Sequence, residues 1–270
     1  MCLKAPCSNA GRFCFIHYFR SHLKKHIPNF ITCLNLLCGC VALVEIFRGH
    51  LALAAYLIFI AAILDLLDGL SARWLNAYSE LGKQMDSLAD VISFGLVPGA
   101  VMFWMLQQSH LETVIADYNI RMFVQFLPFI ITIFSALRLG KFNIDTRQTT
   151  SFIGLPTPAN TLFIVSLPLI VNENNSSWNA VLLNPYFIVG SCILLSYLLV
   201  AKLPMFSLKM KNLSSFGVNR IQYIFLALSV VLFAIFFIKA IPLIIILYIF
   251  LSLLNYLFKK QAADSQINIR

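Results

Sequence analysis

Four aspartates, one arginine and several small residues recur at fixed spacing in one short stretch. The stretch reads Asp65-x2-Asp68-Gly69-x2-Ala72-Arg73-x8-Gly82-x3-Asp86-x3-Asp90. Carboxylate oxygens are preferred ligands of hard divalent cations, and four aspartates could hold two such ions. Because no histidine or cysteine joins the cluster, magnesium or manganese fits better than zinc. The stretch therefore predicts a site with two divalent metal ions.

The small residues of this stretch predict room for a substrate. Gly69 and Ala72 follow Asp68 on one helical side, and Gly82 precedes Asp86 by about one turn. Arg73 adds a cation that suits a phosphate. A diphosphate substrate would use the metal ions, the arginine and the space beside the small residues. Two alternatives stay open: the small residues could form a helix-packing seam, and Arg73 could be a cytoplasmic anchor.

The composition excludes an ordinary soluble domain. The chain has 270 residues, of which 60% are hydrophobic and 11% charged, with a mean hydropathy of +0.83, whereas soluble domains carry about 25% charged residues. The net charge of +9 fits basic cytoplasmic loops and anionic lipid, so we expect no nucleic-acid partner. The seven cysteines show neither a disulfide framework nor zinc-ligand spacing.

Long apolar segments predict an all-α, polytopic integral membrane protein with about eight transmembrane helices. Each segment is long enough, or nearly so, to cross a hydrocarbon core of about 30 Å. The predicted spans are 30–47, 51–73, 84–106, 120–140, 156–171, 181–201, 220–238 and 240–258. We expect a cytoplasmic or interfacial segment at 1–27, whose basic and aromatic residues suit an amphipathic helix at the membrane surface, a transmembrane domain at 28–258 and a cytoplasmic tail at 259–270.

The distribution of basic residues predicts the orientation. With both termini in the cytoplasm, all but three of the 20 lysines and arginines fall on the inner side. The exceptions are Arg48, Arg121 and Lys239. Such a bias is typical of cytoplasmic loops. We expect the protein to lie in the lipid bilayer of a bacterial inner membrane, with its active site on the cytoplasmic side. A homodimer is compatible with the sequence.

This topology brings the acids together at the cytoplasmic ends of the second and third spans. Asp65 and Asp68 are three residues apart, and Asp86 and Asp90 are four apart, so each pair projects from one helix face. The short connection makes the two helices neighbours. We expect all four acids within the first or last turns of these helices.

The eight residues named in the stretch from Asp65 to Asp90 resemble the signature of the CDP-alcohol phosphatidyltransferases, and every signature position is present. These proteins are integral membrane enzymes of phospholipid synthesis. The resemblance implies that the four aspartates bind two divalent metal ions that hold the CDP diphosphate. It also implies that Asp90 acts as base on the acceptor hydroxyl. By the same resemblance, Gly69, Ala72, Arg73 and Gly82 make room for and contact the CDP moiety.

Three further stretches resemble the phosphatidylserine synthase branch of that family, over roughly residues 28–160. They are Pro28-Asn29-x2-Thr32-x2-Asn35-Leu36-x-Cys38-Gly39, the run from Asp86 to Pro98, and Ala136–Asn143 followed by Gly154–Pro158. Where the branch usually has Ala-Arg, this chain has Gly140-Lys141, which keeps the charge and loses a bidentate contact.

This branch implies CDP-diacylglycerol and L-serine as substrates. Arg138 and Lys141 are candidates for the serine carboxylate, with topology anchoring as their alternative role. Asn29, Thr32 and Asn35 are candidates for CDP contacts, with interhelical hydrogen bonding as theirs. Rival hypotheses are another acceptor, such as glycerol 3-phosphate or an inositol compound, and a divalent-cation transporter. A transporter predicts acids near the bilayer midplane on several spans.

Overall fold

The computed structural model describes residues 9–144, 152–171, 176–205 and 220–267. Parts of the predicted terminal segments, residues 1–8 and 268–270, lie outside this range, as do the basic residues Arg147, Lys209 and Lys211. The described chain is helical apart from one short β ladder. The helices are α1 Asn9–Phe47, α2 Leu51–Trp74, α3 Glu80–Asp90, α4 Val97–Gln107, α5 Leu111–Val114, α6 Tyr118–Phe126, α7 Ile130–Ile144, α8 Thr157–Val171, α9 Ser176–Leu182, α10 Pro185–Val200, α11 Arg220–Phe236 and α12 Ala240–Ile267.

The described helices confirm a polytopic membrane protein. Five helical stretches are long and apolar enough to cross a membrane: His26–Phe47, Leu51–Trp74, Glu80–Gln107, Tyr118–Ile144 and Ile221–Leu257. Two shorter apolar helices, Thr157–Val171 and Pro185–Val200, accompany them. Many large apolar side chains on these helices are exposed, as lipid-facing residues must be. The number of eight crossings stays a prediction.

The hairpin of α1 and α2 explains how acids enter an apolar bundle. The chain turns at Gly49, whose φ of +82° favours glycine, and the two helices then pack along each other. Ala54, Ile58 and Ala61 lie buried on one face of α2. Asp65 and Asp68 continue the same spacing of three and four residues. The face that packs the bundle at one end thus carries carboxylates at the other.

A π-helical segment, Val91–Leu96, joins α3 to α4. The amide of Val97 bonds the carbonyl of Ile92, five residues earlier. Pro98 has no N–H, so it cannot bond the Phe94 carbonyl as a helix would require. Instead, the Thr161 hydroxyl of α8 donates to that carbonyl at 2.8 Å. This bond fixes α8 against the segment that follows Asp90.

The region after α7 holds the only β structure of the described chain. Strand β1, Phe152–Ile153, pairs antiparallel with β2, Pro204–Met205. Gly154 follows β1 with φ +80°, and a Cβ there would lie 2.5 Å from the Leu199 carbonyl oxygen. Only glycine allows this approach, which brings the start of α8 onto the end of α10.

The last two helices fold back on each other. A 3₁₀ turn at Phe237–Lys239 separates α11 from α12, and Phe237 has a φ of +53°. Phe225 of α11 and Tyr248 of α12 then meet with ring centroids 5.8 Å apart. Helix α12 and the 3₁₀ turn both pack against α8, which joins this C-terminal hairpin to the bundle.

Candidate active site

Three of the four predicted acids converge. Asp65 and Asp68 of α2 and Asp86 of α3 each offer one carboxylate oxygen, and these oxygens lie within 4.8 Å of one another. Asp68 is buried, with 5% of its surface exposed, while the other two are half-buried. We call these three residues the acidic triad. The spacing of three residues on α2 and the adjacency of α3 produce it, as the sequence predicts.

The hydroxyl of Thr32 on α1 positions one member of the triad. Its Oγ1 donates to the Oδ2 of Asp68 at 2.7 Å. A hydrogen bond from a neutral donor holds the carboxylate without neutralising it. Thr32 therefore contacts the triad from the neighbouring helix.

The triad has the donor set of a hard-cation site. No lysine or arginine of the described chain forms an ion pair with its carboxylates. Three carboxylates this close repel one another unless a positive charge lies between them. Oxygen ligands alone suit magnesium, manganese or calcium better than zinc or copper. The residues present thus fit a divalent ion, and the geometry does not select which one.

Asp90 lies outside the triad and deeper in the bundle. Its carboxylate is 8% exposed and accepts a long hydrogen bond of 3.5 Å from the Asn35 amide. The Ser93 hydroxyl in turn donates to the Asn35 carbonyl at 3.1 Å. Gly39 permits this contact, because a Cβ there would lie 3.0 Å from the Ser93 Cα. Asn35 thus positions Asp90.

The expected depth of the acids was partly wrong. Asp65 lies about 2.5 turns before the end of α2 at Trp74, and Asp90 lies nearly three turns after the start of α3 at Glu80. Both helices thus extend beyond the acids toward the loop that joins them. The Ser79 hydroxyl caps the start of α3 by accepting a hydrogen bond from the Gly82 amide at 3.0 Å. The site is therefore recessed within the helix pair.

An open cavity of about 510 Å³ adjoins the triad. It lies between the middle of α1, the end of α2 and the start of α3, and it includes the loop between α2 and α3. We call it the groove. Its lining residues are Pro28, Asn29, Thr32, Asp68, Gly69, Ala72, Ala77, Tyr78, Ser79, Glu80, Gly82, Lys83 and Asp86.

Most residues predicted to contact the CDP moiety lie in the groove, and two do not. Asn29, Thr32, Gly69, Ala72 and Gly82 all line it. Asn35 and Arg73, the two exceptions among the described residues, have other contacts. Asn35 bonds Asp90, whereas the exposed Arg73 donates from its Nε to the Gly69 carbonyl at 3.0 Å.

Gly82 leaves room for the Asn29 side chain beside the groove. A Cβ at this position would lie 2.8 Å from the Asn29 Oδ1 and 2.9 Å from the Ser79 Oγ. Real Cβ atoms do not approach so closely, so any larger residue would displace the Asn29 amide. The glycine thus brings a polar side chain of α1 against the first turn of α3.

The two cations predicted for the acceptor differ in environment. Arg138 of α7 is half-buried, its Nη1 lies 3.5 Å from the Thr157 Oγ1, and it interacts electrostatically with Asp90. Lys141, also on α7, is exposed. Neither lines the groove. Arg138 therefore belongs to the interior beside Asp90, and Lys141 to the protein surface.

Sequence reasoning assigned no role to the polar residues of α8. Thr157, Asn160 and Thr161 are all buried. Thr157 contacts Arg138, and Thr161 bonds the Phe94 carbonyl. Their spacing of three and four residues in an apolar helix was an available signal of a polar face turned inward.

Comparison with known proteins agrees with this geometry. A sequence model of the CDP-alcohol phosphatidyltransferase family matches residues 25–197. Several relatives are named CDP-diacylglycerol–serine O-phosphatidyltransferase, among them three from Bacillus subtilis, Helicobacter pylori and Methanocaldococcus jannaschii. The Bacillus subtilis protein is 33% identical over 179 residues, 66% of this chain and 89% of the relative. The Helicobacter pylori protein of strain 26695 is 32% identical over 148 residues, 54% of this chain and 58% of the relative.

The third relative, from Methanocaldococcus jannaschii, is 31% identical over 147 residues, 54% of this chain and 62% of the relative. All the residues of the acidic triad and the groove lie within the family match. The helices α11 and α12 lie beyond it. On the extent of this match, the chain belongs to the CDP-alcohol phosphatidyltransferase family, whose members are membrane transferases.

Proposed function

We propose that the protein transfers the phosphatidyl group of CDP-diacylglycerol to the hydroxyl of L-serine, giving phosphatidylserine and CMP. The names of the Bacillus, Helicobacter and Methanocaldococcus relatives support both substrates. The single observation that carries the proposal is the acidic triad opening into the groove. A negatively charged diphosphate requires cations there, and the triad can supply their ligands.

The metal ions would be magnesium or manganese, held by Asp65, Asp68 and Asp86, with Asp90 as a fourth candidate ligand. Bound there, divalent ions would neutralise the diphosphate and stabilise CMP as leaving group. The absence of an ion-pair partner for the triad among the described residues supports this assignment. Two ions remain the expectation.

Asp90 is the proposed base. Its carboxylate accepts the proton of the serine hydroxyl, while the hydroxyl oxygen forms a bond to the phosphorus that carries diacylglycerol. The bond from that phosphorus to the CMP oxygen breaks, and CMP leaves with the electron pair. The Asn35 amide orients Asp90 for this step. Positioning and charge neutralisation supply most of the catalysis.

The groove is the proposed CDP site. Gly69, Ala72 and Gly82 leave space for the nucleotide and its diphosphate, and Asn29 and Thr32 offer polar contacts. Arg73, at the edge of this space, is the proposed phosphate contact once its side chain leaves the Gly69 carbonyl. Lipid tails would enter laterally between helices.

The acceptor is proposed to lie on the other side of Asp90. Serine carries a carboxylate that needs a cation, and the half-buried Arg138 is the first candidate. Lys141 is the second, as an attracting charge at the surface. The inward bias of basic residues supports a site on the cytoplasmic side, in the inner membrane of a bacterial cell.

An acceptor assay with purified protein tests the proposal. We expect release of CMP from labelled CDP-diacylglycerol that depends on serine and on magnesium or manganese. Asp90→Asn should reduce the rate by about 10²- to 10⁴-fold, the usual contribution of a general base. CMP release driven by glycerol 3-phosphate or an inositol compound, and not by serine, would move the acceptor within the family. Metal flux through liposomes without CMP chemistry would favour a transporter.

A further inference from the structure

The buried amide of Asn160 has no hydrogen-bond partner among the described residues. The residue lies on α8 and is 0% exposed. Within the described chain, neither its Nδ2 nor its Oδ1 has a hydrogen-bond partner. A buried amide without partners is unfavourable, because it has lost water and gained nothing in return. An apolar residue would be the more stable choice here unless a bound molecule completes these bonds.

Asn160 lies about one helical turn after a residue of α8 that contacts Arg138. Helical side chains lean toward the N-terminal turn of their own helix. Thr157 lies three residues earlier, on the same face of α8, and its Oγ1 lies 3.5 Å from the Arg138 Nη1. The Nε of Arg138 is also buried and without a partner. The Asn160 amide on α8 and the Arg138 Nε on α7 thus both have unused hydrogen-bonding atoms, and Thr157 links the two helices between them.

Arg138 lies beside the proposed base. Arg138 interacts electrostatically with Asp90 and with Tyr248. Tyr248 lies on α12 and is buried. The bond from Thr161 to the Phe94 carbonyl fixes α8 against the segment just after Asp90. Arg138 of α7, Thr157 of α8 and Tyr248 of α12 thus lie on the Asp90 side of the bundle, and none of them lines the groove.

We propose that Asn160 is a specificity-determining residue for the acceptor, in a pocket that α12 closes at Tyr248. Serine has a carboxylate that accepts hydrogen bonds and an ammonium group that donates them. The Asn160 amide can donate from Nδ2 to the first and accept at Oδ1 from the second. Arg138 supplies the charge for the carboxylate. This assignment rests on the proposed function and adds a residue and a helix that it does not require.

A pair of variants tests this role. Asn160→Leu keeps the side-chain volume and removes both polar atoms. Ser196→Ala on α10 is the control, since Ser196 is also buried with an unpartnered hydroxyl but lies on another helix. Asn160→Leu should raise the KM for serine by about 10- to 100-fold, as expected for lost hydrogen bonds to charged groups. The KM for CDP-diacylglycerol should stay unchanged. The melting temperature should not fall. Ser196→Ala should change neither KM by more than about twofold.

The outcomes separate this role from the proposed function. If the wild-type protein releases no CMP with serine, the proposed function is wrong and the role of Asn160 falls with it. If the wild type is active and Asn160→Leu keeps its KM for serine, only the role of Asn160 is overturned. A lower melting temperature or loss of folding in Asn160→Leu would also overturn it, because a purely structural amide predicts that result.

A charged substitution provides a second readout. Asn160→Asp keeps an acceptor for the ammonium group and repels the carboxylate. The rate with ethanolamine, which lacks the carboxylate, should therefore rise relative to the rate with serine, by about tenfold or more. Because a ratio of two acceptors is measured on one preparation, partial misfolding does not alter it. An unchanged ratio would contradict the assignment.

Discussion

Carboxylates occupy both ends of the helix bundle, and the two ends differ in how they are neutralised. Glu45, near the end of α1, accepts from Arg48 at 2.9 Å and lies 2.7 Å from the His50 Nδ1. At the other end, the acidic triad has no lysine or arginine within ion-pair distance in the described chain. Each carboxylate of the triad meets other carboxylates or a neutral hydroxyl instead.

The difference separates a structural acid from functional ones. Glu45 has basic partners within five residues along the chain, so its charge is compensated in the folded protein alone. The triad gathers like charges from two helices, which opposes folding unless a cation binds. A cluster that destabilises the empty protein is retained only if binding needs it. The predictions that follow test this contrast.

The largest effect is expected on activity. Asp68→Asn keeps the shape and the contact with Thr32 but removes a charge from the triad. We expect CMP release to fall at least about 1,000-fold, equivalent to about 4 kcal/mol of lost transition-state stabilisation. The melting temperature without metal should stay equal or rise, because one repelling charge is gone. Initial rates and a thermal melt on the same preparation measure both.

Glu45→Gln is the matched control for this prediction. It replaces an acid by its amide at the opposite end, outside the groove and the triad. Its rate should stay within about threefold of the wild type, as is usual for changes that touch no site residue. If Asp68→Asn kept a tenth of the activity, or Glu45→Gln lost as much as Asp68→Asn, the contrast between the two ends would fail.

A smaller effect is expected on metal-dependent stability. Magnesium or manganese added to chelator-treated protein should raise the melting temperature, because a ligand at 100 times its Kd contributes about 2.7 kcal/mol. Asp86→Asn should lose most of this shift, and Glu45→Gln should keep it. Thermal melts over a metal titration measure the shift. An equal shift in wild type and Asp86→Asn would mean that the ion binds outside the triad.

Local spacing was enough to predict that Asp65, Asp68 and Asp86 converge, although the same reasoning placed Asp90 with them. Helical periodicity determines which residues share a face, so Asp65 and Asp68 had to project together. The short connection to α3 then brought Asp86 beside them. Gly82 was also predicted to open space, and its contact with Asn29 gives the reason. These features depend on neighbours in sequence or on one hairpin, and they are therefore readable from a single chain.

Features that depend on distant packing were not predicted. The π-helical segment after Asp90 arises where Pro98 withholds a hydrogen bond and Thr161 of α8 replaces it. The meeting of Arg138 with Thr157 likewise requires the placement of α8 against α7. Neither contact follows from periodicity, because the partner lies on another helix whose rotation the sequence does not specify. For the same reason, the sequence did not show that Asp90 lies outside the acidic triad.

The smallest effect is expected on the melting temperature when Glu45, the acid with basic partners, is replaced. The Glu45 side chain is only 9% exposed, but its partners Arg48 and His50 are 65% and 64% exposed, so water and salt screen both pairs from their side. Glu45→Gln should therefore lower the melting temperature by only about 2 °C. High salt weakens the Glu45 ion pairs of the wild type, whereas the neutral side chain of the Glu45→Gln variant has no ion pair to weaken. The difference in melting temperature between the two proteins should therefore shrink in high salt. The metal-dependent shift of the triad should still be present under those conditions. A loss that grew with salt, or that disappeared on adding magnesium, would show that Glu45 belongs to the metal-dependent end of the molecule rather than to a separate structural pair.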